Sequence, residues 1–317
     1  MEIYYNQTRN RPTVMTLGTF DGVHLGHQHI INLAVKRAKE LDYDSSLFTF
    51  FPHPLQTISP DKAPKALTSW SQKRNIIQNL GINQLIVQKF DEDFSQMPYQ
   101  IFIEDYLVKR FKVKEIIVGE DFRCGYRAQG TPAKLKELGK ELGFEVQSVP
   151  SIKINNQDIG STYIRNLILD GKVSKVKEQL GRNFSLDCKV VKGDQRGRKL
   201  GFPTANLEPL ADYVLPPLGV YACRVKLADK IYGGAVHLGV LPTFDKNKFS
   251  IEVYILDFNQ NIYGQRLELE FVERIRPEER FPTVEGLIDR MKEDVRVTRE
   301  ILSNTDQQLE NFNKYYG

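Results

Sequence analysis

The chain of 317 residues lacks the features of a membrane-spanning or disulfide-stabilised protein. No apolar run approaches the ~20 residues that span a bilayer, and the N-terminal stretch MEIYYNQTRNRPTV has no apolar core of a signal peptide. The three cysteines, Cys124, Cys188 and Cys223, are scattered and show no metal-ligand spacing. We therefore expect a cytoplasmic protein with reduced thiols and no membrane partner.

A large excess of charge of one sign is also absent. The 44 Lys and Arg residues against 40 Asp and Glu leave a net charge of +4, which argues against nucleic acid as the main partner. This mild excess is compatible with small phosphorylated ligands. The length exceeds the usual size of one hydrophobic core, so we expect two domains.

The first half of the chain alternates short β-rich runs with amphipathic stretches. This pattern predicts parallel strands joined by right-handed crossover helices. The predicted strands are 13–18, 46–51, 84–90, 114–119 and 145–149, and the clearest helices are 28–41 and 98–111. Sheets of this kind bind ligands outside the carboxyl ends of their strands.

The pattern changes near residue 182, beyond which strands follow one another without intervening helices. Two short helices, 163–169 and 172–180, precede predicted strands at 185–192, 219–227, 231–238, 250–257 and 267–274. Such a run predicts an antiparallel barrel or sandwich, and a helix over 283–302 is expected to pack on it. The predicted domains are therefore 1–182 and 183–317.

The segment GTFDGVHLGHQH at 18–29, called here the histidine turn, directly follows the first of these predicted strands. Unpaired N–H groups at a helix start, together with the helix dipole, make a glycine-rich turn a seat for a phosphate chain. His24 and His27 project from one side of the first helical turn and can donate hydrogen bonds to phosphate oxygens. A purely steric turn is the alternative, but Asp21 and Gly26 beside this histidine pair favour nucleotide chemistry.

Three further segments of the first half are candidates for the same ligand edge. In GSTYIR at 160–165, Ser161 or Thr162 can cap a helix and Arg165 brings a guanidinium to the same end. Such a run alone is usually only a capped helix; with the histidine turn it predicts a clamp on a polyphosphate. FPHP at 51–54 and GEDFRCG at 119–125 follow strands and are either ligand loops or simple turns.

The second half has a cluster of its own, GRKLGFPTANL at 197–207. Its glycines allow the backbone to wrap a phosphate chain, and Thr204 and Asn206 supply oxygens that suit Mg²⁺. The alternative is a tight barrel turn with a solvated basic tip. Glu252 is the lone acid in an apolar strand, and it is either solvent-facing, the commoner case, or a general base.

These segments, in this order, resemble the family of bifunctional prokaryotic riboflavin kinase/FMN adenylyltransferases, also called FAD synthetases, over essentially the full chain. The matching motifs are GTFDGVHLGHQ, FPHP, GEDFRCG, GSTYIR, GRKLGFPTANL, GVLPTF and IEVYILDFNQNIYGQ. The resemblance implies an α/β plus β fold. A Rossmann-like nucleotidylyltransferase domain with a parallel sheet joins FMN to the AMP part of ATP and releases pyrophosphate. An antiparallel six-stranded riboflavin-kinase β-barrel with a terminal helix makes FMN from riboflavin and ATP.

The resemblance also implies roles for individual residues. His24 and His27 stabilise charge on the phosphates, and Glu252 takes the proton of the ribityl 5′-hydroxyl. The implied nucleotide- and phosphate-binding residues of the first domain are Gly18, Thr19, Phe20, Asp21, Gly26, Ser161, Thr162 and Arg165. The flavin-binding candidates are His53, Asp121 and Phe122. The implied kinase site for ATP and Mg²⁺ comprises Gly197, Lys199, Gly201, Pro203, Thr204 and Asn206, with Thr204 and Asn206 as metal ligands.

The implied small-molecule partners are riboflavin, FMN, FAD, ATP, ADP and pyrophosphate, with Mg²⁺ or another divalent cation as cofactor. We expect a monomer or weak oligomer. Four positions depart from the usual family pattern: Gly160, Tyr163, Cys124 and His237.

Two other classes share part of this pattern. A different nucleotidylyltransferase, such as a cytidylyltransferase or a phosphopantetheine adenylyltransferase, shares the histidine turn but leaves the PTAN segment and Glu252 unexplained. A non-catalytic flavin- or nucleic-acid-binding protein has no chemical need for the histidine pair or for Glu252.

Overall fold

The computed structural model describes residues 1–4, 11–193, 197, 200–241 and 248–316. They form two compact units: Met1–Lys65 with Trp70–Ser161, and Ala66–Ser69 with Thr162–Gly317. The segment 162–182 thus packs with the second unit. The domain limits 1–182 and 183–317 stay a prediction of where the two activities divide. Among the described residues, no helix has both the length and the apolar character that crossing a membrane requires.

The first unit is built on a six-stranded parallel sheet in the order β1-β4-β3-β2-β5-β6. The strands are β1 (Glu2–Tyr4), β2 (Thr13–Leu17), β3 (Asp44–Phe50), β4 (Gln84–Gln88), β5 (Val113–Gly119) and β6 (Glu145–Val149). All five predicted strands are confirmed, and β1 is an edge strand too short to show a pattern. Every residue of β2 is buried, as expected for a central strand with both faces covered.

The order of the strands reverses at β2, because the chain runs from β2 to β3 on one side and later returns to β5 on the other. Such a switch point opens a crevice at the carboxyl ends of the two strands, which is where open α/β sheets bind ligands. The histidine turn leaves β2 at this edge, and the loop that begins at Gly119 leaves β5 there.

Helices and short turns surround this sheet. The helices are α1 (Leu25–Leu41), α2 (Pro54–Ile58), α3 (Trp70–Asn79), α4 (Glu92–Ser95), α5 (Tyr99–Ile101), which runs into a π-helix (Phe102–Arg110), and α6 (Pro132–Leu142). The 3₁₀ turns are Asp21–Val23, Pro60–Lys62 and Tyr126–Ala128. A separate two-stranded sheet is formed by β7 (Lys153–Ile154) and β8 (Gln157–Asp158). The predicted helix at 98–111 is confirmed as this α-to-π segment, and the one at 28–41 begins earlier, at Leu25.

The second unit is a closed antiparallel barrel in the order β10-β13-β12-β11-β14-β9, so the barrel alternative is confirmed over the sandwich. Its elements are α7 (Ser161–Leu169), α8 (Val173–Leu180), β9 (Phe184–Val191), β10 (Ala205–Pro209), β11 (Gly219–Leu227), β12 (Lys230–Leu241), β13 (Lys248–Ile255), β14 (Arg266–Pro277) and α9 (Val284–Tyr316). β10 was not predicted. It closes the barrel by pairing with both β9 and β13, which leaves no open sheet edge.

The terminal helix α9 is joined to the barrel by a buried ion pair. Arg276 on β14 donates from Nε to Asp294 Oδ1 at 2.8 Å and from Nη2 to Oδ2 at 2.7 Å. The two side chains are only 8% and 7% exposed. The planar guanidinium thus makes a bidentate hydrogen bond with the two carboxylate oxygens. The pair therefore sets where α9 lies on β14.

We predict that Asp294→Ala lowers the free energy of unfolding of the second unit by about 3–5 kcal/mol, because the buried Arg276 loses both of its close carboxylate bonds and keeps a longer contact with Glu279 at 3.7 Å. Urea unfolding followed by fluorescence measures this change. The matched control is Glu293→Ala, which removes the neighbouring ion pair with Arg296, where the side chains are 56% and 42% exposed. That pair contributes about 1 kcal/mol or less. Equal losses for the two variants would contradict the role given to the buried pair.

Candidate active sites

The histidine turn changes chain direction within a few residues of the end of β2. Phe20 has φ 47° and Gly22 has φ 77°, both in the left-handed region. That conformation is costly for a bulky side chain such as Phe20, and backbone strain of this kind concentrates at functional sites. The chain then enters α1 with His24 as its N-cap.

His24 caps α1 through its ring. Its Nδ1 accepts a hydrogen bond from the backbone N–H of His27 at 3.3 Å. A Cβ at Gly26 would lie 3.2 Å from this nitrogen, so glycine gives the ring room to fold over the helix start. Because Nδ1 accepts, the neutral ring carries its proton on Nε2.

His27 stacks on His24 with ring centroids 3.6 Å apart, and the edge of Phe20 contacts it at 5.2 Å. Its Nδ1 is buried and has no hydrogen-bond partner among the described residues. Burial lowers the pKa of His27 well below its ordinary value, and the nearby His24 and Lys73 add to the effect. His27 is therefore neutral at pH 7, and its buried Nδ1 keeps a hydrogen-bonding capacity that no described residue satisfies.

Side chains from elsewhere in the first unit also hold the backbone of the histidine turn. Ser161 donates from Oγ to the Asp21 carbonyl at 3.0 Å, which brings the start of the predicted clamp to the turn. Lys73 on α3 donates from Nζ to the Thr19 carbonyl at 2.8 Å. Thr162 and Arg165 follow Ser161 in α7 as part of the second unit, so their share in the clamp stays a prediction.

An apolar cavity of about 640 Å³ lies beside the histidine turn. The predicted flavin-binding residues His53, Asp121 and Phe122 all line it, as do His27 and Cys124. The rest of its wall includes the aromatic side chains Phe48, Phe50, Phe90, Phe94 and Phe102. A cavity with many aromatic walls and few polar groups suits a planar ring system. Burial raises the pKa of Cys124 to about 12, so this thiol is an uncharged part of the wall.

Two of the lining residues are held in place by local backbone contacts. His53 caps α2, because its Nδ1 accepts from the Leu55 N–H at 3.2 Å. A Cβ at Gly119 would lie 2.8 Å from Asp121 Oδ1, so glycine allows this carboxylate to fold back over the end of β5. Both groups therefore belong to the edge of the sheet at which ligands are expected.

In the second unit, Glu252 on β13 lies opposite Asn206 on β10 and His237 on β12. Directly opposite residues share one face of a sheet, and the buried neighbours Ile251 and Val253 point to the barrel interior. Glu252 therefore stands on the outer face of the barrel. It is not simply a solvated acid, because Thr204 donates from Oγ1 to its Oε2 at 3.0 Å.

The segment before β10 forms a tight turn. The Gly197 carbonyl accepts from the N–H groups of Leu200 and Phe202 at 3.0 and 2.9 Å. A Cβ at Gly197 would overlap the Phe202 carbonyl, and one at Gly193 would overlap the Asn206 amide. Gly201 has φ 84°, in the left-handed region that glycine adopts without strain. The glycines therefore let the turn close over Thr204 and Asn206.

A groove of about 370 Å³ adjoins this turn, and the predicted residues Pro203 and Thr204 line it together with the loop at 258–263. Lys199 lies outside the described residues, as do Pro242, Thr243 and Phe244 of the GVLPTF motif. His237, one of the departures from the family pattern, has its Nε2 3.8 Å from Glu278 Oε1. Burial lowers the His237 pKa, although the charges of Glu252 and Glu278 oppose the shift.

A parallel sheet has a glycine-rich turn at its switch point, and a barrel has a hydrogen-bonded acid beside a second glycine turn. These features fit a two-domain nucleotide-dependent transferase. Family models agree with this class: FAD synthetase matches residues 6–163 and riboflavin kinase matches residues 180–302.

Curated relatives match almost the whole chain. The bifunctional riboflavin kinase/FMN adenylyltransferase of Bacillus subtilis is 36% identical over 92% of this chain and 93% of its own length. That of Listeria monocytogenes is 37% identical over 92% and 93%, and that of Escherichia coli K12 is 33% identical over 95% and 96%. The chain belongs to the family of bifunctional riboflavin kinase/FMN adenylyltransferases, and it is an enzyme with both activities.

One solved structure shares the fold over most of both chains. A crystal structure from Streptococcus pneumoniae, of a protein named there as a macrolide-efflux protein, has a TM-score of 0.85 and 31% identity. The match covers 93% of this chain and 96% of that one. We take from it the shared fold alone.

The lowered pKa of His27 predicts that acid destabilises the first unit. An unfolded histidine takes up a proton below about pH 6.5, whereas the buried His27 does not, so stability falls with pH below that value. Through this one group the free energy of unfolding changes by at most about 1.4 kcal/mol per pH unit. Urea unfolding at pH 7.5, 6.5 and 5.5 measures how much free energy of unfolding is lost as the pH falls. This loss should be smaller in His27→Gln than in the unmodified protein. The matched control is His29→Gln, which alters an exposed histidine of the same helix and should keep the full loss.

Proposed function

We propose that the histidine turn carries the transfer of AMP to FMN, and that Glu252 with Thr204 carries the transfer of phosphate to riboflavin. Riboflavin, ATP, FMN and FAD are the substrates and products of the two activities. The observation that most supports the first assignment is the buried, unpartnered Nδ1 of His27 in its stack with His24. The hydrogen bond from Thr204 to Glu252 supports the second.

In the first reaction an oxygen of the FMN phosphate attacks the α-phosphorus of ATP, and the bond to the departing pyrophosphate breaks. Negative charge shifts to the phosphate oxygens, where the Nε2–H of His24 and the His27 ring stabilise it by hydrogen bonding. The Gly18 N–H donates to the Phe48 carbonyl, so the backbone donors for the nucleotide are those of Thr19 and Phe20. Catalysis by positioning and electrostatics needs no covalent intermediate.

We place the flavin ring of FMN in the apolar cavity beside this turn. Phe122 and the aromatic wall offer stacking contacts, and His53 and Asp121 offer polar contacts at the edge. In this arrangement His27, which also lines the cavity, stands where the flavin phosphate meets ATP. Ser161, Thr162 and Arg165 then hold the pyrophosphate that leaves.

In the second reaction the ribityl 5′-oxygen of riboflavin attacks the γ-phosphorus of ATP, and ADP leaves. Glu252 accepts the proton of the 5′-hydroxyl, as a general base must. Thr204 holds Oε2 of this carboxylate, which orients the other oxygen for the substrate. Gly197, Lys199, Gly201 and Pro203 belong to the segment that we assign to the phosphate chain of ATP.

We assign Mg²⁺ to Thr204 and Asn206. In the described part of the chain no three His, Cys, Asp or Glu side chains lie close enough to form a metal centre. Oxygen donors beside one carboxylate nevertheless fit Mg²⁺, which is usually held by one or two protein groups and by the substrate phosphates. When bound, the cation neutralises charge on the phosphates.

We also propose that the enzyme works in the cytoplasm as a monomer or weak oligomer, without nucleic acid or a membrane as partner. The supply of ATP to both reactions supports the location. The net charge of +4 gives no strong field for nucleic acid.

His27→Ala should stop the formation of FAD while FMN accumulates, because it removes a ring from the adenylylation site and leaves the barrel untouched. We expect a fall of about 100-fold or more in FAD formation. Chromatography of a reaction with riboflavin, ATP and Mg²⁺ measures both products. His29→Ala is the matched control and should make both. Loss of both products in His27→Ala would refute separate sites.

Glu252→Gln should show the opposite pattern, because glutamine keeps the size of the side chain but cannot accept the hydroxyl proton. Formation of FMN from riboflavin should fall by about 100-fold or more, while added FMN is still converted to FAD. Glu208→Gln, which changes an exposed acid on β10, is the control and should keep both activities. An unchanged rate of FMN formation in Glu252→Gln would remove this residue from the mechanism.

A further inference from the structure

Lys73 is a charged residue of the first unit that the reaction described above does not use. It lies on α3, and its ammonium reaches the histidine turn, where it donates to the Thr19 carbonyl at 2.8 Å. Thr49 on β3 donates from Oγ1 to the same carbonyl at 3.2 Å. One backbone oxygen of the phosphate seat is therefore held from two neighbouring elements.

Lys73 is only partly exposed, and the hydrogen bond from its ammonium to the Thr19 carbonyl is partly buried. Burial lowers its pKa, and the charge of Asp21, itself 7% exposed, acts in the opposite direction. A lysine on an amphipathic helix normally extends into water, because removing a cation from water is costly unless the cation finds partners. Here its partners are the carbonyl of Thr19 and the carboxylate of Asp21.

We propose that Lys73 is a positioning residue of the adenylyl transfer, whose ammonium fixes the phosphate seat through the Thr19 carbonyl and places a positive charge beside His27. This inference rests on the function proposed above for the histidine turn. It adds a residue on a separate helix to a site that was so far built from the turn and the start of α7.

The first part of this role follows from peptide geometry. In a trans peptide the carbonyl and the N–H of the next residue point in opposite directions. Anchoring the Thr19 carbonyl on Lys73 and Thr49 therefore turns the Phe20 N–H away from both side chains. Phe20 lines the cavity, and its N–H is one of the two backbone donors assigned to the nucleotide. Lys73 thus orients a donor that it does not itself contact.

The second part concerns the charge state of His27. Burial lowers the pKa of this ring most, and the titratable groups that add to the shift are His24 from the same turn and Lys73 from α3. Asp21 interacts with Lys73 and keeps the ammonium charged. The Lys73 ammonium adds to the effect of burial, which keeps the imidazole neutral in the free enzyme. It also offers the incoming phosphates an attractive charge that needs no proton uptake.

Three substitutions separate these contributions. Lys73→Met removes the charge and the hydrogen bond but keeps a long, unbranched side chain. Lys73→Gln removes the charge and keeps a hydrogen-bond donor, and Lys73→Arg keeps both the charge and a donor. Lys39→Met is the matched control, because Lys39 is an exposed lysine on α1. The measurements are kcat and KM for ATP in the conversion of FMN to FAD, the rate of riboflavin phosphorylation, and an NMR titration of the five histidines in which His27→Gln assigns the His27 signal.

We expect Lys73→Met to lower kcat/KM for ATP by about tenfold or more, with riboflavin phosphorylation unchanged. The titration midpoint of His27 should move upward in Lys73→Met and Lys73→Gln. In Lys73→Arg it should stay in place and most of the activity should return. Lys39→Met should match the unmodified protein in every measurement.

Other results would overturn the inference. An unmoved His27 midpoint in Lys73→Met, or kinetics equal to those of Lys39→Met, would show that Lys73 does not act on the site. If Lys73→Met and Lys73→Gln both fail to fold while Lys73→Arg is intact, the role of Lys73 is structural and the inference is also wrong. Full FAD formation by His27→Ala would instead refute the proposed function of the histidine turn, so the two failures are distinguishable.

Discussion

The first unit depends on the way the chain leaves β2. A buried central strand must turn into a helix within a few residues, and it must do so while presenting N–H groups and ring donors to a polyanion. A left-handed Phe20, a left-handed Gly22 and a glycine at position 26 under the His24 ring make this possible. The strained turn is held from outside by Ser161, Thr49 and Lys73, which bond to its carbonyls. In the function proposed above, the N–H groups of Thr19 and Phe20 are the backbone donors for the nucleotide.

The second unit has a different fold, and its corresponding constraint is the position of one carboxylate. Glu252 is on the outer face of a closed barrel, where an isolated acid would only be solvated. Closure by β10 places Asn206 opposite Glu252 and brings Thr204 within hydrogen-bond distance of it. The same short strand therefore removes the open edge of the sheet and builds the site. Glycines on both sides of the preceding turn allow this close approach.

Much of both sites could be predicted, because their residues are grouped in short segments with a local physical signature. The glycine-rich turn after an apolar strand, the histidines at i and i+3, and the lone acid in an apolar strand are all visible along the chain. Lys73 and Thr49 are not, since each contributes a single bond from an element distant in sequence. β10 was not predicted for the same reason, because its pairing with β9 and β13 is non-local. Its five residues directly follow a turn and are too few to show a clear alternation of apolar and polar residues.

The sequence by itself determined the two-part architecture, the parallel and antiparallel character of the halves, and the segments to which we assign the chemistry. The periodicity of apolar residues and the placing of turn residues are local signals, so both can be recognised in a single sequence. Only the tertiary structure decided that the second half closes as a barrel, that Glu252 is bonded to Thr204, and that the Nδ1 of His27 is buried without a partner. It alone showed that a lysine on α3 bonds to the Thr19 carbonyl of the histidine turn. Burial and hydrogen bonding between distant segments depend on packing, and packing is a property of the folded chain.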